Sequence, residues 1–116
     1  MKKTVVFDFD GVIHSYKSGW QDIDIIPDPP VDGIDKVMKK LHELGYYIVI
    51  VSTRSVNLKG RTAMREWLAN YDIYYDDIQA VKPPAIVYVD DRAICFKGQT
   101  DTLVDEIVNF TSWVSN

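Results

Sequence analysis

Apolar residues gather in three short runs, residues 4–7, 46–51 and 85–89, and polar side chains follow each run directly. The runs are rich in β-branched and aromatic residues, which favour a buried β-strand. Asp8 and Asp10 come straight after the first run. We therefore predict three buried strands, the first of which carries two carboxylates to its end.

The segments between these strands show apolar positions at helical spacing. Over residues 31–44 the apolar side chains fall on one face and the charged ones on the other, and Gly45 ends the pattern. Residues 58–70 and 103–108 predict two further helices. Because strands alternate with helices, we predict an α/β fold, a three-layer α/β/α sandwich with a mostly parallel, Rossmann-like sheet.

Other segments have a weaker pattern. Residues 11–30 mix polar and aromatic side chains with three prolines, and we interpret them as a loop or small hairpin, here called the flap loop, at the mouth of the site. Residues 73–75 and 78–80 are candidates for short strands, and so are residues 93–96.

Composition narrows the class of protein. The chain has 116 residues, 47% of them hydrophobic, which predicts one domain over residues 1–116 with a real core. The net charge of -4 argues against a general nucleic-acid or membrane-surface binder, but leaves open a nucleic-acid end held mainly at one phosphate. Neither a signal peptide nor a stretch long enough to cross a bilayer is visible.

Cys95 is the one cysteine in the chain, so an intrachain disulfide is excluded. Cysteine usage of this kind predicts a reducing, cytoplasmic compartment. Because its neighbours in the sequence are apolar, we expect Cys95 to be a packed core thiol rather than a nucleophile.

The two acids after the first strand suggest chemistry. Burying two like charges is costly unless something offsets them, and a divalent cation such as Mg²⁺, which takes oxygen ligands, would do so. An acidic turn after a strand is the simpler interpretation. Polar residues also follow the other two strands, and the ends of parallel strands meet at one edge of a sheet. The residues expected at that edge are Asp8, Asp10, Ser52, Thr53, Arg54, Asp90 and Asp91, and Lys82 stands just before the third strand.

The order of these pieces resembles the haloacid dehalogenase (HAD) superfamily of phosphohydrolases. The resemblance lies in residues 8–12 (DFDGV), residues 48–52 (IVIVS), Lys82 with the following proline, and residues 87–91 (VYVDD), and it covers nearly the whole chain. Members often carry a cap domain that selects the substrate. The stretches available for one are too short here, so the chain resembles a capless member with an open site.

The resemblance implies a role for each acid. Asp8 would be the nucleophile that forms an aspartyl-phosphate, and Asp10 the general acid that later acts as a base. Mg²⁺ would be held by Asp8, the backbone carbonyl of Asp10 and Asp90, with Asp91 in direct or indirect contact.

The resemblance also implies a set of residues that bind the phosphate. Lys82 and Ser52 would hold the phosphoryl oxygens, with Thr53 as the alternative hydroxyl. Arg54 would either clamp a second anionic group or pair with an acid that follows the third strand. Arg92 has the same two options and is expected to be structural.

Flap-loop side chains are candidates for contact with the leaving group. Trp20 would either stack on a base or sugar, or pack beneath the flap loop. The full set of candidates is His14, Tyr16, Lys17 and Trp20.

The predicted function is a Mg²⁺-dependent phosphohydrolase that acts on a phosphomonoester. A polynucleotide 3′-phosphatase is the alternative substrate class, because residues 52–54 and 90–92 look similar to the phosphatase part of polynucleotide kinase-phosphatases. Two alternatives belong to other classes: a receiver-like phosphoacceptor domain, whose acceptor Asp would stand where Ser52 does, and a non-catalytic binding domain. The expected partner is a phosphorylated substrate, either a small molecule or a nucleic-acid end. A homo-oligomer stays open, and no membrane partner is expected.

Overall fold

The computed structural model describes residues 2–114 and forms an α/β fold around a four-stranded, all-parallel sheet. The strand order is β3-β2-β1-β4, with helices flanking the sheet, as the Rossmann-like prediction required. The elements are β1 Lys3–Phe7, α1 Ile34–Glu43, β2 Tyr46–Val51, a 3-10 helix Thr53–Val56, α2 Leu58–Asn70, β3 Asp77–Gln79, β4 Val87–Val89 and α3 Leu103–Val108.

The two central strands, β1 and β2, are buried on both faces. In β1, Val5 and Phe7 belong to the main core, whereas Val6 points to the other face and packs with Val49 and Val51 of β2. A strand covered on both faces has no polar side to present to water. This is why both strands are continuous apolar runs rather than alternating patterns.

Helices α1 and α2 pack their apolar stripes into the main core, as their spacing predicted. α1 contributes Ile34 and Met38, and α2 contributes Met64, Trp67 and Leu68. These side chains meet the same face of the sheet as Val5 and Phe7, so the inner face of the sheet and both helices form one apolar cluster.

Helix α1 is shorter than the predicted 31–44. It begins at Ile34 because Gly33 has a φ of +82°, a left-handed conformation that does not belong to a right-handed helix. It ends before Gly45, which has a φ of +89°, so the predicted stop signal is confirmed.

Short strands were predicted less well than long ones. β4 covers Val87–Val89 rather than 85–89, and β3 covers Asp77–Gln79. Residues 73–75 and 93–96 are not strands. A strand extends only as far as its backbone groups find a partner. Within the described residues β4 lies at the edge of the sheet and pairs only with β1, over three residues, which is why it is short.

Residues 93–108, which follow β4, are mostly exposed. Helix α3 forms where predicted, but none of its residues is buried. Cys95 is exposed, so the prediction of a core thiol is wrong: the apolar residues around it lie outside the core. No helix in residues 2–114 is long and apolar enough to cross a membrane.

Candidate active site

The carboxyl ends of β1, β2 and β4 meet around a cavity of about 220 Å³. The pairing register of the strands explains why their ends meet there. Phe7, at the end of β1, pairs with Ile50 of β2 on one side and with Val89 of β4 on the other. The polar residues that follow these strands therefore stand at similar heights on the same edge. The residues that line the cavity are Asp8, Asp10, Tyr16, Trp20, Ser52, Thr53, Asp90 and Arg92.

Three carboxylates form a cluster at this edge. Asp8, Asp90 and Asp91 each offer an oxygen, and these oxygens all lie within 4.8 Å of one another. The backbone N–H of Asp8 donates to the carbonyl of Val89 at 2.8 Å, which fixes the first acid beside the end of β4. The structure therefore brings together three of the four acids predicted as metal ligands.

The electrostatics of this cluster fit a divalent cation. Burial first, and then the charges of Asp90 and Asp91, raise the pKa of Asp8 from 3.8 to about 7. Oδ1 of Asp91 is buried and has no hydrogen-bond partner among the residues that the structure describes. A cation with oxygen ligands would offset the repulsion and take up this oxygen.

The absence of a side chain at Gly11 allows the Asp91 carboxylate to approach the backbone at the acid cluster. Its φ is +85°, and a Cβ at this position would collide with the carboxylate of Asp91. Its carbonyl accepts a hydrogen bond from Nε1 of Trp113 at 2.9 Å, and Ser112 donates its hydroxyl to Oδ2 of Asp91 at 2.9 Å. The C-terminal segment is therefore anchored at the acid cluster.

Asp10 has different surroundings from Asp8. Nε of Arg54 lies 3.0 and 3.2 Å from its two carboxylate oxygens, and Nδ1 of His14 lies 2.8 Å from Oδ1. Asp10 is thus paired within the protein, whereas Asp8 lies among other acids.

The structure places Arg54 against Asp10. Its guanidinium is fully buried and pairs with Asp10 rather than with an acid that follows the third strand. Nη2 has no hydrogen-bond partner among residues 2–114, and the predicted contact of Arg54 with an anionic group of the substrate stays a prediction. Nη1 donates to the carbonyls of Asp22, Ile23 and Ile25 at 2.8, 2.9 and 3.0 Å. Arg54 therefore ties the flap loop to the end of β2 and to Asp10.

The 3-10 helix after β2 presents the hydroxyl candidates. Oγ of Ser52 accepts a hydrogen bond from the backbone N–H of Arg54 at 3.2 Å, which leaves the hydroxyl proton free to donate. Both Ser52 and Thr53 line the cavity, with Ser52 buried and Thr53 exposed.

The remaining basic residues lie at the rim. Nζ of Lys82 is 3.4 Å from Oδ2 of Asp90, and its side chain is half exposed. Arg92 was expected to be structural, but its exposed side chain lines the cavity and makes no salt bridge within residues 2–114. Its backbone N–H donates to Oδ1 of Asp90.

The flap-loop candidates separate into two groups. Tyr16 and Trp20 line the cavity, whereas His14 is buried behind it and Lys17 is exposed. Trp20 is half exposed, and the Arg54 guanidinium carbon lies 4.6 Å from its ring centroid. Burial, and then the Asp10 charge, raise the pKa of Tyr16, so its phenol keeps its proton at neutral pH.

Asp28 was missed by the sequence analysis. Its carboxylate accepts hydrogen bonds from the backbone N–H and the hydroxyl of Ser18 at 2.8 and 2.6 Å, and its carbonyl accepts from Nε1 of Trp67. Burial opposes ionisation, but the hydrogen bonds from Ser18 lower the pKa of Asp28. An Asp among prolines is an ordinary turn signal, so the sequence carried no sign of this role.

Comparison with known proteins supports the fold. No protein-family model and no curated protein matches the chain. A crystal structure of a structural-genomics target from Vibrio cholerae is 26% identical, with a TM-score of 0.56 over 81% of this chain and 83% of that one. Two structures of the Pnkp1/Rnl/Hen1 RNA repair complex match 97% of this chain at 18% identity and a TM-score of 0.55. This chain spans only about a third, 36% and 33%, of those chains.

Replacement of Arg54 by Met is expected to destabilise the protein by about 3–5 kcal/mol, because it leaves the Asp10 charge unpaired and removes the shared donor of three flap-loop carbonyls. Urea denaturation measures this change. The control is Arg65→Met on the exposed surface of α2, which should alter the free energy of unfolding by less than about 0.5 kcal/mol. Equal effects of the two substitutions would contradict the assignment.

Mg²⁺ is expected to raise the melting temperature more at about pH 8 than at about pH 5. The folded pKa of Asp8 lies above its ordinary value, so without a cation the stability that Asp8 contributes falls as the pH rises from 3.8 to about 7. A Mg²⁺ ion bound at the cluster would replace the proton and restore that stability at high pH. Differential scanning fluorimetry should show the pH dependence in the Asp101→Asn control and lose it in Asp8→Asn.

Proposed function

We propose that the chain is a divalent-cation-dependent phosphohydrolase of the haloacid dehalogenase type, which cleaves a phosphomonoester through an aspartyl-phosphate on Asp8. The observation that carries this proposal is the cluster of Asp8, Asp90 and Asp91 oxygens within 4.8 Å, in a cavity shared with Asp10 and Ser52. The wider resemblance in the sequence and the Rossmann-like fold support it.

Asp8 is the proposed nucleophile because it lines the cavity and belongs to the cluster that fits a cation. Asp8, Asp90 and Asp91, with the backbone carbonyl of Asp10, would hold Mg²⁺. When bound, Mg²⁺ neutralises negative charge and so lets an anionic carboxylate approach an anionic phosphate.

The proposed reaction has two steps. First, a carboxylate oxygen of Asp8 bonds to phosphorus while the bond from phosphorus to the leaving oxygen breaks, and Asp10 gives that oxygen a proton. Second, water attacks phosphorus, Asp10 takes a proton from the water, and Asp8 leaves as a carboxylate. Inorganic phosphate and the dephosphorylated alcohol are the products.

Ser52 and Lys82 are the proposed phosphate ligands. The Ser52 hydroxyl lines the cavity with its proton free, so it can donate to a phosphoryl oxygen. Lys82 already reaches the acid cluster through Asp90, and a half-exposed lysine can turn toward an incoming phosphate. Thr53 is the alternative hydroxyl at the same rim.

Asp8→Asn is expected to lower Mg²⁺-dependent phosphate release by roughly 10³-fold or more, because an amide is a poor nucleophile at phosphorus. Asp10→Asn should cost about 10²- to 10⁴-fold. Phosphate release from p-nitrophenyl phosphate measures both, with circular dichroism as the check on folding. Asp101→Asn, an exposed acid away from the cavity, is the matched control. Substantial turnover by Asp8→Asn, or full activity in excess EDTA, would contradict the proposal.

A second candidate is a phosphatase that acts on nucleic-acid ends. Two observations favour it: half-exposed Trp20 and exposed Arg92 stand at the cavity rim, and two matching structures are of an RNA repair complex. One face of the Trp20 ring stacks on the Arg54 guanidinium, so the opposite face can stack on a base. The net charge of -4 is compatible with a contact limited mainly to the phosphorylated end of the strand.

Trp20→Leu is expected to lower kcat/KM for a 3′-phosphorylated oligonucleotide by about 5-fold or more, the value of one base–aromatic stack. Activity toward glycerol phosphate should stay unchanged, because this substrate has no base. Phe96→Leu, at an exposed position outside the cavity, is the control. Equal losses on both substrates would argue against a base-stacking role and for a structural one.

A further inference from the structure

His14 is a titratable residue that is fully buried. The reaction described above assigns it no role. Its ring lies among the aromatic rings of Phe9, Tyr16 and Trp67, with centroid distances of 5.8, 5.9 and 5.6 Å. Neighbours on several sides fix the orientation of the imidazole. The direction in which each ring nitrogen points is therefore set by packing.

The backbone determines which ring nitrogen carries the proton. The N–H of Asp28 points at Nε2 of His14 at 3.1 Å, and a backbone N–H can only donate, so Nε2 must accept. The Asp28 carboxylate is 3.6 Å from Nε2, too far for a hydrogen bond, and Ser18 already donates to both of its oxygens. In the neutral ring the proton is then on Nδ1.

Nδ1 of His14 faces Asp10. The distance from Nδ1 to Oδ1 of Asp10 is 2.8 Å, so the proton on Nδ1 is donated to this oxygen. Oδ1 also lies 3.2 Å from Nε of Arg54, whereas among residues 2–114 Oδ2 accepts from Arg54 alone, at 3.0 Å. A carboxylate oxygen has two lone-pair positions, so Oδ1 is saturated and Oδ2 keeps one position open.

We propose that Oδ2 of Asp10 is the oxygen that exchanges the proton, and that His14 is the positioning residue that holds the carboxylate in this orientation. The inference rests on the proposed phosphohydrolase function. In the first step the proton passes from Oδ2 to the leaving oxygen, and in the second it returns to Oδ2 from the attacking water. His14 keeps its own proton throughout, as a fixed donor to Oδ1.

The first test needs no substrate. ¹⁵N-detected correlation spectra of the wild-type chain distinguish a protonated ring nitrogen from a bare one. Because the chain has two histidines, a His42→Asn variant assigns the signals of His14. The expected result at neutral pH is a protonated Nδ1 and a bare Nε2. A proton on Nε2, alone or together with Nδ1, would overturn the inference.

The second test uses two substitutions that each keep half of the imidazole. In His14→Asn the amide nitrogen stands near the position of Nδ1 and can still donate to Asp10. In His14→Gln the side-chain oxygen can replace Nε2 as acceptor for Asp28, while the donor to Asp10 is lost. We expect His14→Gln to lower kcat by about 10- to 100-fold with little change in KM, and His14→Asn to keep most of the activity. Equal losses in both variants would overturn the positioning role.

The two tests separate this inference from the proposed function. A wild-type chain that releases no phosphate from any phosphomonoester would contradict the proposed function, and the positioning role would fall with it. An active wild-type chain with the proton on Nε2 would leave the phosphohydrolase standing and overturn only the assignment of His14. If both variants fail to fold, the spectra of the wild-type chain still decide the tautomer.

Discussion

The fully buried guanidinium of Arg54 is the contact on which the rest of the site depends. It reaches Asp10 through Nε and three carbonyls of the flap loop through Nη1, so one side chain joins the ends of β1 and β2 to residues 11–30. A buried charge is tolerated when it is paired and hydrogen-bonded, and Arg54 pairs with Asp10 and donates through Nε and Nη1. Its Nη2 is buried without a hydrogen-bond partner among residues 2–114. The flap loop is consequently a fixed wall of the cavity in this structure, and Trp20 rests on the same guanidinium.

Two acids only two positions apart in the sequence have opposite surroundings. Asp10 receives donors from Arg54 and His14, whereas Asp8 faces Asp90 and Asp91, and burial raises its pKa to about 7. Different surroundings for neighbouring carboxylates are the usual basis for giving them different chemical roles. Under the proposed function, Asp8 needs a cation before it can attack phosphorus, and Asp10 needs a defined orientation before it can move a proton.

Sequence periodicity predicted the parts of the molecule that burial determines. The runs of β1 and β2 and the apolar stripes of α1 and α2 are core patterns, so the parallel sheet and the meeting of Asp8, Asp10, Ser52 and Asp90 at its edge could be foreseen. Contacts across the fold could not. Nothing in the sequence shows that Arg54 turns inward or that His14 lies between Asp10 and Asp28, and the exposure of Cys95 depends on loose packing after β4.

The most direct measurement of the central claim is a crystal structure grown with Mg²⁺ and beryllium trifluoride, a stable mimic of a phosphoryl group on a carboxylate. The account predicts beryllium bonded to an oxygen of Asp8 and one Mg²⁺ ion in contact with Asp8 and with Asp90 or Asp91. Beryllium trifluoride on a different residue, or a metal ion bound away from this cluster while Asp8 stays unmodified, would contradict it.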